Sequence, residues 1–184
     1  MAKDIKTYYE QSYIDNTLRL REVLQTLPSF AKDYFRAVEP TTSAKTRISY
    51  AYDIRVFFHF LIENNPIYHD YTTTQFTLQD LERVEPIDIE EYLEYLKVYK
   101  ADDNQVITNG EKGLARKFSS LRSFYRYFYR HQMIEKNPTI FVDMPKLHDK
   151  AIIRLDIDEV ALLLDYVENC GKELTGQKKV YYDK

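Results

Sequence analysis

Cysteine and glycine are scarce in this sequence, and each shortage narrows what the protein can be. A single cysteine, Cys170, excludes an internal disulfide and suits a reducing compartment. Four glycines in 184 residues leave long intervals between turn signals, which favours helices over many short strands. No stretch approaches the roughly 18 consecutive apolar residues that a membrane span needs. The opening MAKDIKTYYEQ has charges and no apolar core, so it is not a secretory signal. His59, His69, His131 and His148 have no metal-ligand spacing with one another or with Cys170. A glycine-rich phosphate loop and a nucleophile elbow are also missing. The expectation is a soluble, cytoplasmic protein that uses no membrane, metal or cofactor.

What is present reads as globular. Hydrophobic residues make up 44% and charged residues 30%, and the length suits one ordinary domain with appendages. The net charge of −3 argues against a nucleic-acid partner, but net charge hides distribution, and distribution sets the field. Acids gather in residues 82–94 and 156–168. The stretch 112–130 holds Lys112, Arg116, Lys117, Arg122, Arg126 and Arg130, and no acid at all.

The pattern predicts an all-α protein. A helical region spans 4–38, broken at Pro28, with Ser29 as a candidate cap for its second part. Glu39-Pro40-Thr41-Thr42 reads as a linker, because proline ends the helix before it. A long helix follows, capped by Thr42 or Ser43 and running to about Ile62, with Ala51, Ile54, Phe57, Phe58, Leu61 and Ile62 on its buried face. Thr77-x-x-Asp80 starts a short helical turn, and Pro86 opens a helix to Tyr99. Residues 101–109 read as a loop, and a third long helix runs from about Glu111 to Gln132. A short turn through 140–144 leads into an extended basic stretch over 146–154. A last helix covers Asp158 to about Asn169, with Gly171 as its C-terminal cap. Most of the 17 tyrosines fall at helical core positions, so none is singled out for catalysis.

The third long helix carries the chemistry. Leu114, Phe118, Leu121, Tyr125 and Phe128 form a stripe spaced 4, 3, 4, 3, which is core. Lys112, Arg116, Ser119, Ser120, Ser123, Arg126, Tyr127 and Arg130 gather opposite, flanked by Lys117 and Arg122. A solvated helix face normally mixes charge signs, and this one does not. Cations neutralise phosphates and release counterions, while serine hydroxyls donate to phosphate oxygens. A solvated basic face, or one that docks an acidic protein, fits the same pattern. The opening turns of the first long helix add Ser43, Lys45, Thr46, Arg47 and Ser49, with no acid before Asp53, at a helix end that attracts anions.

Several segments, in order, resemble the core-binding, SAM-like domain of phage-integrase and Xer-type tyrosine recombinases. Ser43-x-x-Thr46-x-x-x-Tyr50-x-x-Asp53-Ile54-x-x-Phe57-x-x-x-Leu61 is similar to that domain's first helix, and Asp88-Ile89-x-x-Tyr92-Leu93-x-x-Leu96 to its second. Arg116-x-Phe118-Ser119-Ser120-Leu121-Arg122-x-Phe124-Tyr125 resembles the family's R-x-L-S-A-L-R-x-F-Y helix. Asn137-Pro138 and Met144-Pro145-Lys146 match its exit toward a catalytic domain, and Asp158-Glu159-Val160-x-x-Leu163-Leu164 resembles that second domain's first helix. Gly113 departs from the family, which has Thr or Ser there. The extension before residue 40 is similar to that of certain Xer-type recombinases.

The resemblance implies a small helical bundle that clamps one side of double-stranded DNA. It implies DNA contacts from Ser43, Thr46, Arg47, Ser49, Lys112, Arg116, Lys117, Ser119, Ser120 and Arg122. It divides the chain into a helical extension over 1–40, a core-binding domain over 41–145, and a linker with the start of a catalytic domain over 146–184. The family's catalytic contexts (G-x-R-x-x-E, a Lys, His-x-x-Arg, a further His or Trp, and the nucleophilic Tyr) do not occur, and Tyr181 and Tyr182 do not stand for the nucleophile. The chain is therefore expected to be part of a longer recombinase. That parent would cleave and rejoin one strand at a time through a phosphotyrosine link, without metal or ATP, as a tetramer of protomers on paired sites. The residues alone leave two other readings open: a helical adaptor with a basic docking face, and a small all-α DNA-binding regulator.

Overall fold

The computed structural model describes residues 7–101, 104–148 and 154–170. Contacts divide the chain into two units, Met1–Leu147 and His148–Lys184. Among the described residues, the first unit holds the α-helices α1 (Tyr8–Gln25), α2 (Ala31–Ala37), α3 (Ala44–Asn64), α4 (Leu78–Arg83), α5 (Pro86–Tyr95) and α6 (Glu111–Arg130). The second unit holds α7 (Ile157–Cys170). The architecture is helical, as the scarcity of turn residues implies.

Helix boundaries follow local chemistry. The Ser43 hydroxyl accepts from Thr46 N–H at 3.1 Å and starts α3. Thr77 and Asp80 cap α4 reciprocally: the Asp80 carboxylate takes Thr77 N–H at 2.8 Å, and the Thr77 hydroxyl takes Asp80 N–H. Pro86 occupies the first turn of α5, where its missing N–H costs nothing. Ser29 does not cap α2; that position is Phe30, and no side chain caps it. In α7, Asp156 and Glu159 exchange backbone-to-carboxylate bonds at its start, and Val160, Leu163, Leu164 and Val167 recur on one face. The expected cap Gly171 lies outside the described residues.

The largest departure from the sequence expectation lies between α5 and α6. The fifth helix ends at Tyr95, not Tyr99, and an antiparallel pair follows: β1 (Val98–Lys100) and β2 (Val106–Thr108), with Tyr99 opposite Ile107. Asn109 anchors this hairpin, donating through Nδ2 to the Leu96 carbonyl at 2.7 Å, while its own N–H reaches the Lys97 carbonyl. Gly113 makes room for it: a Cβ there would sit 3.1 Å from Asn109 Oδ1. That accounts for a glycine inside a helix start, where it ordinarily costs stability.

The core is aromatic and centred on α3 and α6. Phe57, Phe58, Phe118, Phe124, Phe128, Tyr34, Tyr92 and Tyr125 are fully buried, many ring pairs meeting edge to face. Leu20 and Val23 of α1, and Ala31, Tyr34 and Phe35 of α2, join the same core. Helices α1 and α2 are thus packed onto the bundle. Among the described residues, no helix is long and apolar enough to cross a membrane.

Candidate nucleic-acid interface

The sixth helix buries Phe118, Leu121, Tyr125 and Phe128, four of the five stripe residues, and half-buries the fifth, Leu114. Its covered side is wider than that stripe and also takes in Ala115, Lys117, Ser120 and Phe124, because α2 and α3 both pack on it. Lys112, Arg116, Ser119, Arg126 and Arg130 remain exposed, and Arg122 and Ser123 are half-buried. From Lys112 to Arg130 this face runs about 27 Å, at 1.5 Å per residue.

Arg47 of α3 and Lys117 and Ser120 of α6, expected as DNA contacts, are buried. Arg47 is 3% exposed. Its Nη1 donates to the carbonyls of Glu39 and Thr42 at 3.0 and 2.9 Å, and its Nη2 reaches the Glu39 carboxylate at 3.2 Å. It holds the 39–41 turn against α3. Lys117 turns inward to the Asp53 carboxylate at 3.2 Å, and the Ser120 hydroxyl donates to the Lys117 carbonyl at 2.8 Å. Ser49 and Ser119 likewise spend their hydroxyl protons on the carbonyls of Lys45 and Ala115. Ser43 and Thr46 stay at the start of α3 with their hydroxyls 2.9 Å apart. Arg116 reaches the surface but binds Asp53 through both Nη atoms, and the Arg122 guanidinium lies 5.6 Å from the Phe118 ring centre.

The fold assembles a cleft that sequence reasoning does not reach. Tyr50 of α3 faces Ser119, Arg122, Ser123, Arg126 and Arg130 of α6 across a volume of about 620 Å³. The segment 137–144 closes its other side, and no lining residue is acidic. A second cleft of about 320 Å³ lies along Tyr34, Tyr127 and His131 and shares Arg126 and Arg130 with the first. Among the described residues, Lys112, Arg126 and Arg130 have no carboxylate partner, so their charge is available to an anion. The helical wheel places Arg126 and Arg130 on the polar face. What it cannot supply is Tyr50, a tyrosine on another helix.

The buried tyrosines are built to stay protonated. Burial pushes the hydroxyls of Tyr34 and Tyr68 up to about 12, the first despite its bond to Ser123 at 3.0 Å. Tyr92 and Tyr125 are raised further by burial, and they donate to the carbonyls of Asp53 and Leu81. Among the described residues, Tyr8, Tyr9 and Tyr13 of α1, Tyr129 of α6 and Tyr166 of α7 are exposed, so the expectation that tyrosines sit mostly in the core does not hold for these five. Among the described residues, no group of three or more His, Cys, Asp and Glu could hold a metal ion.

Comparison with known proteins places this geometry in a family. The model of the phage integrase N-terminal SAM-like domain matches residues 31–132. The tyrosine recombinase XerC of Caldanaerobacter subterraneus is 32% identical over 145 residues, which is 77% of this chain and 40% of the relative. The XerC of Leptospira interrogans is 25% identical over 154 residues, 82% of this chain and 43% of that protein. A tyrosine recombinase of Pseudothermotoga lettingae is 32% identical over 124 residues, covering 67% and 37%. The chain spans about two-fifths of the length of these relatives, and no solved structure matches it. With the family's helical domain matched over more than half its length, the chain belongs to the tyrosine recombinases of the phage-integrase type.

Proposed function

We propose that this chain binds double-stranded DNA, as the clamping front half of a tyrosine recombinase that acts in site-specific recombination or integration. The observation that carries the reading is the acid-free cleft of about 620 Å³ between α3 and α6, with Arg122, Arg126 and Arg130 along it. A duplex laid against this face exchanges condensed counterions for fixed guanidinium groups, an exchange that requires no particular base sequence. Lys112, Arg116, Arg122, Arg126 and Arg130 take the phosphates along α6. Ser43, Thr46 and the free N–H groups at the start of α3 take another, where no acid stands in the first turn. Arg47, Lys117 and Ser120 support these groups from within.

Strand breakage and rejoining through a phosphotyrosine link needs the arginine, lysine, histidine and tyrosine contexts of the family, which this sequence does not contain. This chain is therefore assigned the binding half of the work. Protomers of the parent assemble as a tetramer on paired sites, in the cytoplasm.

An electrophoretic shift tests the reading. A mixed-sequence duplex is expected to be retarded, with an acidic polypeptide in excess a poor competitor. A stable complex with the acidic polypeptide and none with duplex would favour an adaptor with a basic docking face.

A further inference from the structure

Asp53 is an acid in the middle of the apolar face of α3, with its side chain 1% exposed. An isolated carboxylate in such a place is costly, and this one is fully engaged. Its Oδ2 accepts from Arg116 Nη1, and its Oδ1 accepts from Arg116 Nη2 at 2.9 Å and from Lys117 Nζ at 3.2 Å. The main chain beneath it is also fixed, because the buried Tyr92 hydroxyl donates to the Asp53 carbonyl at 3.3 Å. Lys117 is held from its other side by the Tyr99 ring, 5.7 Å from its Nζ.

Arg116 differs from the other two members of this cluster. Its side chain is 48% exposed while that of Lys117 is 9% exposed, so only the arginine spans from the buried acid to the surface. A guanidinium carries five N–H donors in one plane. The fork to Asp53 consumes two of them and leaves three. Two cations against one anion also leave the cluster with a positive excess, and the exposed group carries it outward. Well-packed apolar residues can replace a buried ion pair without loss of stability, so stability alone does not account for the arrangement.

We propose that Asp53 is a positioning residue for DNA binding: it locks the Arg116 guanidinium in one plane, so that its remaining donors meet a backbone phosphate. This deepens the duplex-binding reading and rests on it. The fork pre-organises an otherwise flexible side chain, which lowers the ordering cost at the moment of binding. Lys117 balances the buried charge and makes no phosphate contact.

A double-mutant cycle on the 184-residue chain tests this, with a mixed-sequence DNA duplex as probe and circular dichroism as the check on folding. Asp53→Asn keeps the shape and removes the charge. It is expected to lower duplex affinity roughly tenfold in the wild-type background, and less than about twofold once Arg116 is already alanine. Arg116→Lys keeps the charge and loses the fork, so it should lose about as much affinity as Arg116→Ala. An equal loss from Asp53→Asn in both backgrounds would mean that Asp53 acts only through the fold. Unchanged or tighter binding by Asp53→Asn would mean that it merely repels DNA. If Asp53→Asn does not fold, Arg116→Lys decides alone, and wild-type affinity for that variant overturns the proposal. Any of the three contrary results (equal loss in both backgrounds, unchanged or tighter binding by Asp53→Asn, or wild-type affinity of Arg116→Lys), with a wild-type chain that binds duplex, removes the positioning role and leaves the duplex-binding reading standing. A wild-type chain that does not bind duplex removes both.

Discussion

At the scale of single residues, the proposed duplex-binding role requires α6 to separate binding from stability by face. Lys112 and Arg126 are exposed and have no carboxylate partner among the described residues, so replacing either with alanine should weaken duplex binding severalfold without moving the thermal transition. Leu121, 1% exposed, should behave in the opposite way: Leu121→Ala is expected to cost about 2–5 kcal/mol. Denaturant titration of the three variants beside duplex affinity checks both, and a loss of fold in Lys112→Ala with none in Leu121→Ala would reverse the assignment of the faces. The tyrosines give a second prediction. Tyr34 and Tyr68 ionise at about 12 in the folded chain against about 10 when unfolded. Their contribution to stability is complete below pH 10 and is lost as pH rises from there toward 12. Phenolate absorbance from these two buried hydroxyls should therefore appear only with cooperative unfolding. Ionisation of Tyr34 and Tyr68 without loss of the fold would contradict it.

At the scale of elements, the long periodic helices α3 and α6 were legible in the sequence because their apolar spacing is strong and their caps are local. The same locality gives a prediction for α4: Thr77→Ala removes one side of the reciprocal cap and should cost about 1 kcal/mol in a denaturant titration, while Thr77→Ser should cost little. The hairpin was not legible. Its strands are three residues each, and they are pinned by Asn109, whose partner is the end of another helix. The burial of Lys117 and the anchoring of Arg47 have a related cause. A helical wheel assigns a face but not the neighbours that cover it, and Glu39 and Asp53 draw these cations inward across other segments. Tyr50 escaped notice because only the packing of α3 on α6 brings it to the arginines. Side chains that share one helix face could be read from sequence, and a neighbour brought in by a second helix could not.

At the scale of the whole molecule, the central claim is that a chain of net charge −3 binds a polyanion because its charge is sorted by place. Lys112, Arg116, Arg122, Arg126 and Arg130 stand together on α6, and the acids gather in 82–94 and 156–168. Binding carried by phosphates releases counterions, so its strength must fall steeply as salt rises, at a rate set by the number of phosphates neutralised. The measurement that tests this most directly is duplex affinity over a series of salt concentrations. With about four to six phosphate contacts, the slope of log K against log salt is expected to be roughly −4 to −5, and shallower by about one in Arg126→Ala. A slope near zero, or a slope that Arg126→Ala leaves unchanged, would contradict the account.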